Sequence, residues 1–339
     1  MSNHPNGRKN LITDVPGLAV GNFHDPALRS GITTVMFDRP AVVGCAILGG
    51  APGSRETSAL EPEMLVEAVD ALVISGGSAF GLDAASGVQA LLREQGRGFA
   101  VGPARVPIVP QAILFDLLNG GDKAWGRYPP YREMGYAAAQ AAARDFAIGS
   151  AGAGFGATAV SVRGGLGSAS AITSGGFTVG ALAAVNALGS PLIGGGPHFW
   201  AAPWEEGSEF GGLGLPPAIT PEMRKLAWKG GPSLATTLVI VATDAVLTKP
   251  QAKRLATIAH GGIARALRLA AAAHDGDTVF AAATGARPLG DPAADDLTEI
   301  GAVAADCTAR AIARGVHAAD ANELAVGPPA WQQRFAQKS

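Results

Sequence analysis

Two adjacent hydroxyl residues, Thr236 and Thr237, head the run Leu234-Ala235-Thr236-Thr237-Leu238-Val239-Ile240-Val241-Ala242-Thr243-Asp244-Ala245. Leu238 to Val241 is a continuous aliphatic stretch, the pattern of a strand buried on both faces. Upstream, from about 194 to 232, runs a linker-like tract rich in Gly, Pro and Trp. A chain break between Ala235 and Thr236 would give Thr236 a free α-amine beside its own hydroxyl. Such an amine has an unperturbed pKa of about 7.7–8.0, so it can act as general base near neutral pH, where a lysine at about 10.4 could not without a large shift. The same residues also suit an ordinary strand start, where threonine is common. On this segment alone both readings stand.

Other residues carry compatible chemistry. Asn186 ends the apolar run Phe177-Thr178-Val179-Gly180-Ala181-Leu182-Ala183-Ala184-Val185. Its amide could donate to an oxyanion, or it could simply form a turn. Asp275-Gly276-Asp277 sets two carboxylates ahead of Thr278-Val279-Phe280. The remaining ligands of a calcium loop are missing, so a turn into a strand is the plainer reading. Gly76-Gly77, inside Ser75-Gly76-Gly77-Ser78-Ala79-Phe80-Gly81-Leu82, reads as a strand end and a helix start. Backbone N–H groups there could hold an anion or oxyanion, or the glycines could serve only tight packing. No phosphate loop or dinucleotide fingerprint is present. Gly49 to Glu56 is a loop that could line a site or be only a turn.

The elements that must position these residues follow from periodicity. Asn10 to Asn22 reads as a strand, a Pro-Gly turn and a second strand; Gly31–Phe37 and Ala41–Leu48 read as a strand pair. Strands are also expected over Leu65–Ile74, Val101–Val109, Phe177–Asn186, Leu238–Val241 and Thr278–Gly285. Helices are expected up to Leu92, over Tyr136–Ala147, over Pro250–Leu269 with Gly261-Gly262 as an interruption, and from Asp295 to Ala318.

Composition narrows the function class. The 339 residues allow a sizeable core, and only 16% are charged, with a net charge of −2. Nothing there favours nucleic acid or an anionic membrane as partner. The 47 glycines are dispersed among apolar runs, which suits tight turns and close layers. Cys45 and Cys307 lie in apolar surroundings and read as buried free thiols, and no spacing suggests a metal site. The polar N-terminus is unlike a signal peptide, and no apolar run has the length of a membrane span. A soluble, cytoplasmic protein is expected, and the low charge leans towards an oligomer.

In one order along the chain, several strings resemble the family of L-aminopeptidase/D-esterases, β-peptidyl aminopeptidases and nylon-oligomer hydrolases. They are Asn10-Leu11-Ile12-Thr13-Asp14-Val15-Pro16-Gly17, Ser75 to Leu82, Val106-Pro107-Ile108-Val109, Gly164-Gly165-Leu166-Gly167-Ser168-Ala169-Ser170, Val179 to Asn186, Thr236-Thr237 with Ala242-Thr243-Asp244-Ala245, and Asp275 to Phe280. The resemblance implies a four-layer αββα sandwich, of mixed α/β (α+β) class. It implies a precursor that cuts itself into an α subunit, 1–235, and a β subunit, 236–339. It makes Thr236 the N-terminal nucleophile, with the threonine leaning towards the nylon-oligomer branch. Asn186 matches the residue that stabilises the tetrahedral intermediate, and Asp275 and Asp277 match an acidic pair that orients amine and substrate. Gly76, Gly77 and Phe115 are carried as oxyanion or pocket residues.

The chain departs from the family at three positions. Ala235 stands where members usually carry asparagine, so self-cleavage is open to question. Phe115 falls where some members have a tyrosine. A lysine is expected in the stretch before Gly164-Gly165, but the nearby basic residue is Arg163, which cannot shuttle protons and is given no catalytic role. The implied activity is amide hydrolysis of peptides or aminohexanoate oligomers, without metal or cofactor, by a tetramer of processed heterodimers. Two alternatives are an unprocessed binding or assembly relative, and an acyltransferase of the ornithine acetyltransferase type.

Overall fold

The computed structural model describes residues 9–230, 235–320 and 327–335; Leu234 and the linker residues 231–232 lie outside them. The strands are β1 (Leu18–Asp25), β2 (Ser30–Ile47), β3 (Ser54–Arg55), β4 (Val69–Ser75), β5 (Phe99–Val101), β6 (Ala104–Val106), β7 (Gln111–Ile113), β8 (Gly165–Ile172), β9 (Thr178–Asn186), β10 (Thr236–Ala245) and β11 (Thr278–Arg287). The helices are α1 (Ala84–Glu94), α2 (Tyr131–Gln140), α3 (Lys249–Ala266), α4 (Ala293–His317) and the short α5 (Trp331–Phe335).

The strand order is β3-β7-β4-β2-β11-β10-β9-β8, with β1 paired to the first half of β2. The first half of β2 also pairs with β4, and its second half pairs with β11. The long strand therefore belongs to two sheets. Side-chain alternation sends each sheet's two faces to different cores. In β10, Leu238, Ile240 and Ala242 join Val35, Leu72 and Leu182 between the sheets, while Val239 and Val241 join Leu255, Ile263 and Val303 under α3 and α4. A third core packs Ile32, Val73 and Met36 beneath α1 and α2. Helix, sheet, sheet, helix: the four-layer αββα sandwich is the architecture. All ten residues of β10 are buried, and a fully buried aliphatic side chain contributes about 1.5–3 kcal/mol.

Some local expectations change. Gly31–Phe37 and Ala41–Leu48 do not pair with each other but form one strand. Asp38, Arg39 and Pro40 look like a turn, yet they are exposed and taken up by a register shift against β4 between Met36 and Ala41. The first expected strand is a single 3-10 turn over Ile12–Asp14. There the Asp14 carboxylate accepts the N–H groups of Lys9 at 3.0 Å and Leu11 at 3.3 Å, replacing a strand ladder. In place of one strand over Val101–Val109 there is a small hairpin, β5–β6, that ends at Val106, and α2 starts earlier than expected, directly after Pro129-Pro130. Helix α3 runs unbroken through Gly261-Gly262. It opens with a Thr248/Gln251 capping box and Pro250 in its first turn.

Candidate active site

The antiparallel register of β9 and β10 sets Thr236 opposite Asn186. This pairing follows from two apolar strands whose faces must each match a core; a one-residue slip would send every β10 side chain into the opposite core. Thr236 is 4% exposed. Its hydroxyl donates to the carbonyl oxygen of Ala235 at 2.6 Å, which sets the oxygen beside the peptide bond that precedes it. The same carbonyl accepts the N–H of Gly276 at 2.8 Å. Only glycine allows that approach, because a Cβ on Gly276 would lie 2.5 Å from the Thr236 hydroxyl oxygen.

The two aspartates flank this contact. Asp277 accepts the N–H of Thr237 at 2.7 Å and the N–H of Ala271 at 2.8 Å, fixing the head of β10 to the loop before β11. Asp275 accepts the N–H of Ala272 at 3.3 Å, and its backbone bridges to Ala235. Burial raises both carboxyl groups above the usual carboxylate range, and the Asp277 charge adds to the rise at Asp275. The loop from Gly49 braces this segment through its backbone: Ala51 N–H donates to Asp275 O at 2.7 Å, and Gly50 N–H to Ala272 O at 3.1 Å.

Asn186 is held on every side. Its Oδ1 accepts the N–H of Thr158 at 3.1 Å and Lys229 Nζ at 3.0 Å, and its Nδ2 donates to Phe115 O at 2.8 Å. Phe115 thus contributes a backbone carbonyl, which needs no tyrosine hydroxyl. Lys229 also donates to Thr158 O at 2.8 Å. Burial pulls its pKa down to about 7 against the opposing pull of Asp275. The stretch before Gly164, where the family resemblance implies a lysine, holds none. The lysine comes instead from the linker tract, just ahead of Thr236. It lies in an irregular Gly- and Pro-rich stretch with no strand or helix period, so only its nearness to Thr236 in sequence marks it.

Gly76 and Gly77 behave differently from the oxyanion role considered for them. Gly76 N–H donates to Gly31 O at 2.9 Å and Gly77 N–H to the Asp116 carboxylate at 2.7 Å. Both donors are engaged, so neither points at the Ala235 carbonyl. They frame Asp116 instead, whose pKa burial raises. Asp116, Phe115, Thr158, Arg163, Asn186 and Lys229 line a cavity of about 220 Å³, so Asn186 lies between β10 on one side and this cavity on the other. Nor is the linker tract loose throughout: Phe199, Ala201 and Phe210 are buried in the α3–α4 core.

Comparisons with known proteins bear on the family and the fold. An uncharacterized aminopeptidase of Mycobacterium tuberculosis is 42% identical over 354 residues, covering 96% of this chain and 98% of that protein. Another, from Mycobacterium leprae, is 40% identical and covers 92% of this chain and 91% of its own. A 6-aminohexanoate-oligomer endohydrolase from a Kocuria species is 29% identical over 154 residues, 45% of this chain and 40% of that one. Among solved structures, a Burkholderia β-aminopeptidase superposes with a TM-score of 0.70 at 22% identity, covering 96% of this chain and 92% of its own. The L-aminopeptidase D-Ala-esterase/amidase of Ochrobactrum anthropi, described as a variant of the Ntn hydrolase fold, gives 0.68 at 21%, covering 94% and 89%. Residues 10–327 match the model of Peptidase family S58, and with relatives so similar over nearly their whole length, the chain belongs to that family and is a hydrolytic enzyme.

Proposed function

We propose that this enzyme is a self-processing aminopeptidase that cuts itself between Ala235 and Thr236 and then uses Thr236 as its N-terminal nucleophile. The observation that carries the proposal is the Thr236 hydroxyl at 2.6 Å from the Ala235 carbonyl oxygen, with that oxygen already accepting Gly276 N–H. The hydroxyl oxygen attacks the Ala235 carbonyl carbon and gives up its proton. Charge gathers on the carbonyl oxygen, where the Gly276 N–H stabilises it. The C–N bond breaks, the nitrogen of Thr236 takes a proton and becomes an amine, and an ester joins Ala235 to the threonine oxygen. Water then hydrolyses the ester, leaving the Ala235 carboxylate and a free Thr236. Ala235 in place of asparagine does not remove any group that this sequence of steps uses.

Turnover repeats the chemistry on a substrate amide. The Thr236 amine takes the hydroxyl proton as the oxygen attacks, and passes it to the departing amine of the substrate. Asn186 Nδ2 has one hydrogen committed to Phe115 O and a second for the oxyanion. Asp277 holds the strand head, and Asp275 sits beside the new amine. Because Thr236 is buried in the uncut chain, cleavage must precede catalysis.

The aminopeptidase names of the similar mycobacterial proteins favour N-terminal residues of short peptides as substrates. The shorter match to the 6-aminohexanoate-oligomer endohydrolase makes linear aminohexanoate oligomers the second class to assay. Intact-mass spectrometry with N-terminal sequencing tests the proposal. Two chains are expected, the smaller beginning at Thr236. A single chain of 34.0 kDa that nevertheless hydrolyses peptides would overturn it.

A further inference from the structure

We propose that Lys229, carried by the tract that precedes the cleavage site, is a positioning residue for Asn186 and stays in the active site after cleavage. The proposal rests on the reading of Thr236 as nucleophile and adds a part that the linker supplies.

Three observations lead to it. First, the donors and acceptors around Asn186 are complementary in one orientation only. Thr158 N–H and Lys229 Nζ are donors and face Oδ1, while Phe115 O is an acceptor and faces Nδ2. Turning the carboxamide over would set its NH2 group against two donors, so these contacts fix Nδ2 on the side where it can donate. Second, the Lys229 amine, protonated or neutral, carries N–H groups and stands at 3.0 Å from Oδ1 beside the Thr158 donors. A donor drawing on the amide oxygen polarises the amide and makes its remaining N–H a stronger donor, an effect that grows away from bulk water. Third, the lysine is anchored independently of the bond to be cut. Its backbone N–H donates to Leu188 O at 3.0 Å, just past the end of β9, and its amine also reaches Thr158 O at 2.8 Å. None of these partners lies on the small fragment that begins at Thr236. Cutting at Ala235 therefore removes no hydrogen bond that holds Lys229.

The end of the large fragment thus remains a working part of the site instead of a discarded linker. Its lysine amine reaches Asn186, and through Asn186 the oxyanion. Lys229 itself bonds to Thr158 and Asn186 and not to Thr236.

The test compares wild type, Lys229→Met and Lys229→Arg, each incubated until cleavage is complete by intact mass, on an L-alanine p-nitroanilide. Lys229→Met keeps the aliphatic length but has no donor. Its kcat is expected to fall about tenfold, the scale of a lost buried hydrogen bond, with KM within about threefold of wild type. Lys229→Arg restores donors at Oδ1 and is expected to recover most of that loss. Melting temperatures of all three, measured alongside, separate positioning from stability. Wild-type kcat in Lys229→Met, or a loss confined to KM, overturns the proposal. So does an arginine variant that melts with wild type yet is as slow as the methionine variant. Failure of the wild type itself to yield a fragment starting at Thr236 would instead overturn the nucleophile assignment, so the two outcomes are distinct.

Discussion

At Thr236 the hydroxyl and the backbone do separate jobs, so substitutions should separate them. Thr236→Val keeps the branched shape that fits the buried strand head but removes the oxygen proposed to attack. It is expected to fold, to remain a single chain by intact mass, and to show no peptide hydrolysis. Thr236→Ser retains the oxygen and should still cut and turn over; an uncut serine variant would count against the mechanism. Asn186→Ala removes the proposed oxyanion donor, and kcat should fall by about 10²–10³ with little change in KM, the range seen when one such donor is lost. A variant that loses KM alone would mean that Asn186 only binds substrate.

Lys229 also carries a pH signature. Its folded pKa of about 7 lies below the ordinary value of 10.5 because burial disfavours the charge. Between those values the unfolded chain holds a proton that the folded chain has released. Stability contributed by this group therefore rises with pH across that window and is lost as pH falls towards 7. Lys229→Met has no such term. Wild type should gain melting temperature relative to Lys229→Met between pH 7 and pH 10, measured by calorimetry in matched buffers. A constant difference across that range would show that burial does not shift this lysine.

Elements differed in how openly the sequence announced them. β9 and β10 were legible because a strand buried on both faces must be apolar at every position, and Asn186 and Thr236 stood out as the polar ends of such runs. Asp275 and Asp277 were legible as a polar turn ahead of a buried strand. What joined them into one site was the strand register and the close pass of the Gly276 loop, which are long-range contacts with no local pattern. The same holds for Lys229 and for the engaged N–H groups of Gly76 and Gly77. The Gly261-Gly262 pair misled for a related reason. It resembles a helix break, but a Cβ on Gly262 would lie 2.2 Å from the carbonyl oxygen of Ala305 on α4, so the glycine permits close helix contact. Gly262→Ala should relieve a poor helix propensity of about 1 kcal/mol yet push α3 and α4 apart, at a cost of about 1–3 kcal/mol. A lower melting temperature is expected; a higher one would mean that the helices can part freely.

On the scale of the whole molecule, the proposed cut divides a structure that cannot readily come apart. The small fragment would supply β10 and β11, which sit between β9 and β2 of the large one. Separating the pieces would break the sheet at both of those pairings and expose the cores on its two faces. A buried ionic knot reinforces the join. Arg310, 1% exposed on α4, donates to Glu209 at 2.6 Å, to Asn10 at 2.9 Å and to the Ser170 carbonyl at 3.0 Å. Glu209 also pairs with Arg314 at 3.5 Å. Every partner of these two arginines named here lies on the large fragment, and both arginines lie on the small one. Arginine contacts hold Glu209 below the usual carboxylate range, although burial alone would raise it. Breaking a buried pair from one side costs about 3–5 kcal/mol when the remaining charge has no other partner; Arg310 keeps Glu206 at 3.1 Å, so the loss here should fall below that range. Glu209→Gln leaves both arginines without that carboxylate. It should lower the melting temperature of the cleaved enzyme while the sheet pairings keep both fragments in one peak on size-exclusion chromatography under native conditions. In intermediate urea, the variant should release the small fragment at a lower concentration than wild type. Release at the same concentration would mean that the strand pairings alone hold the two pieces together.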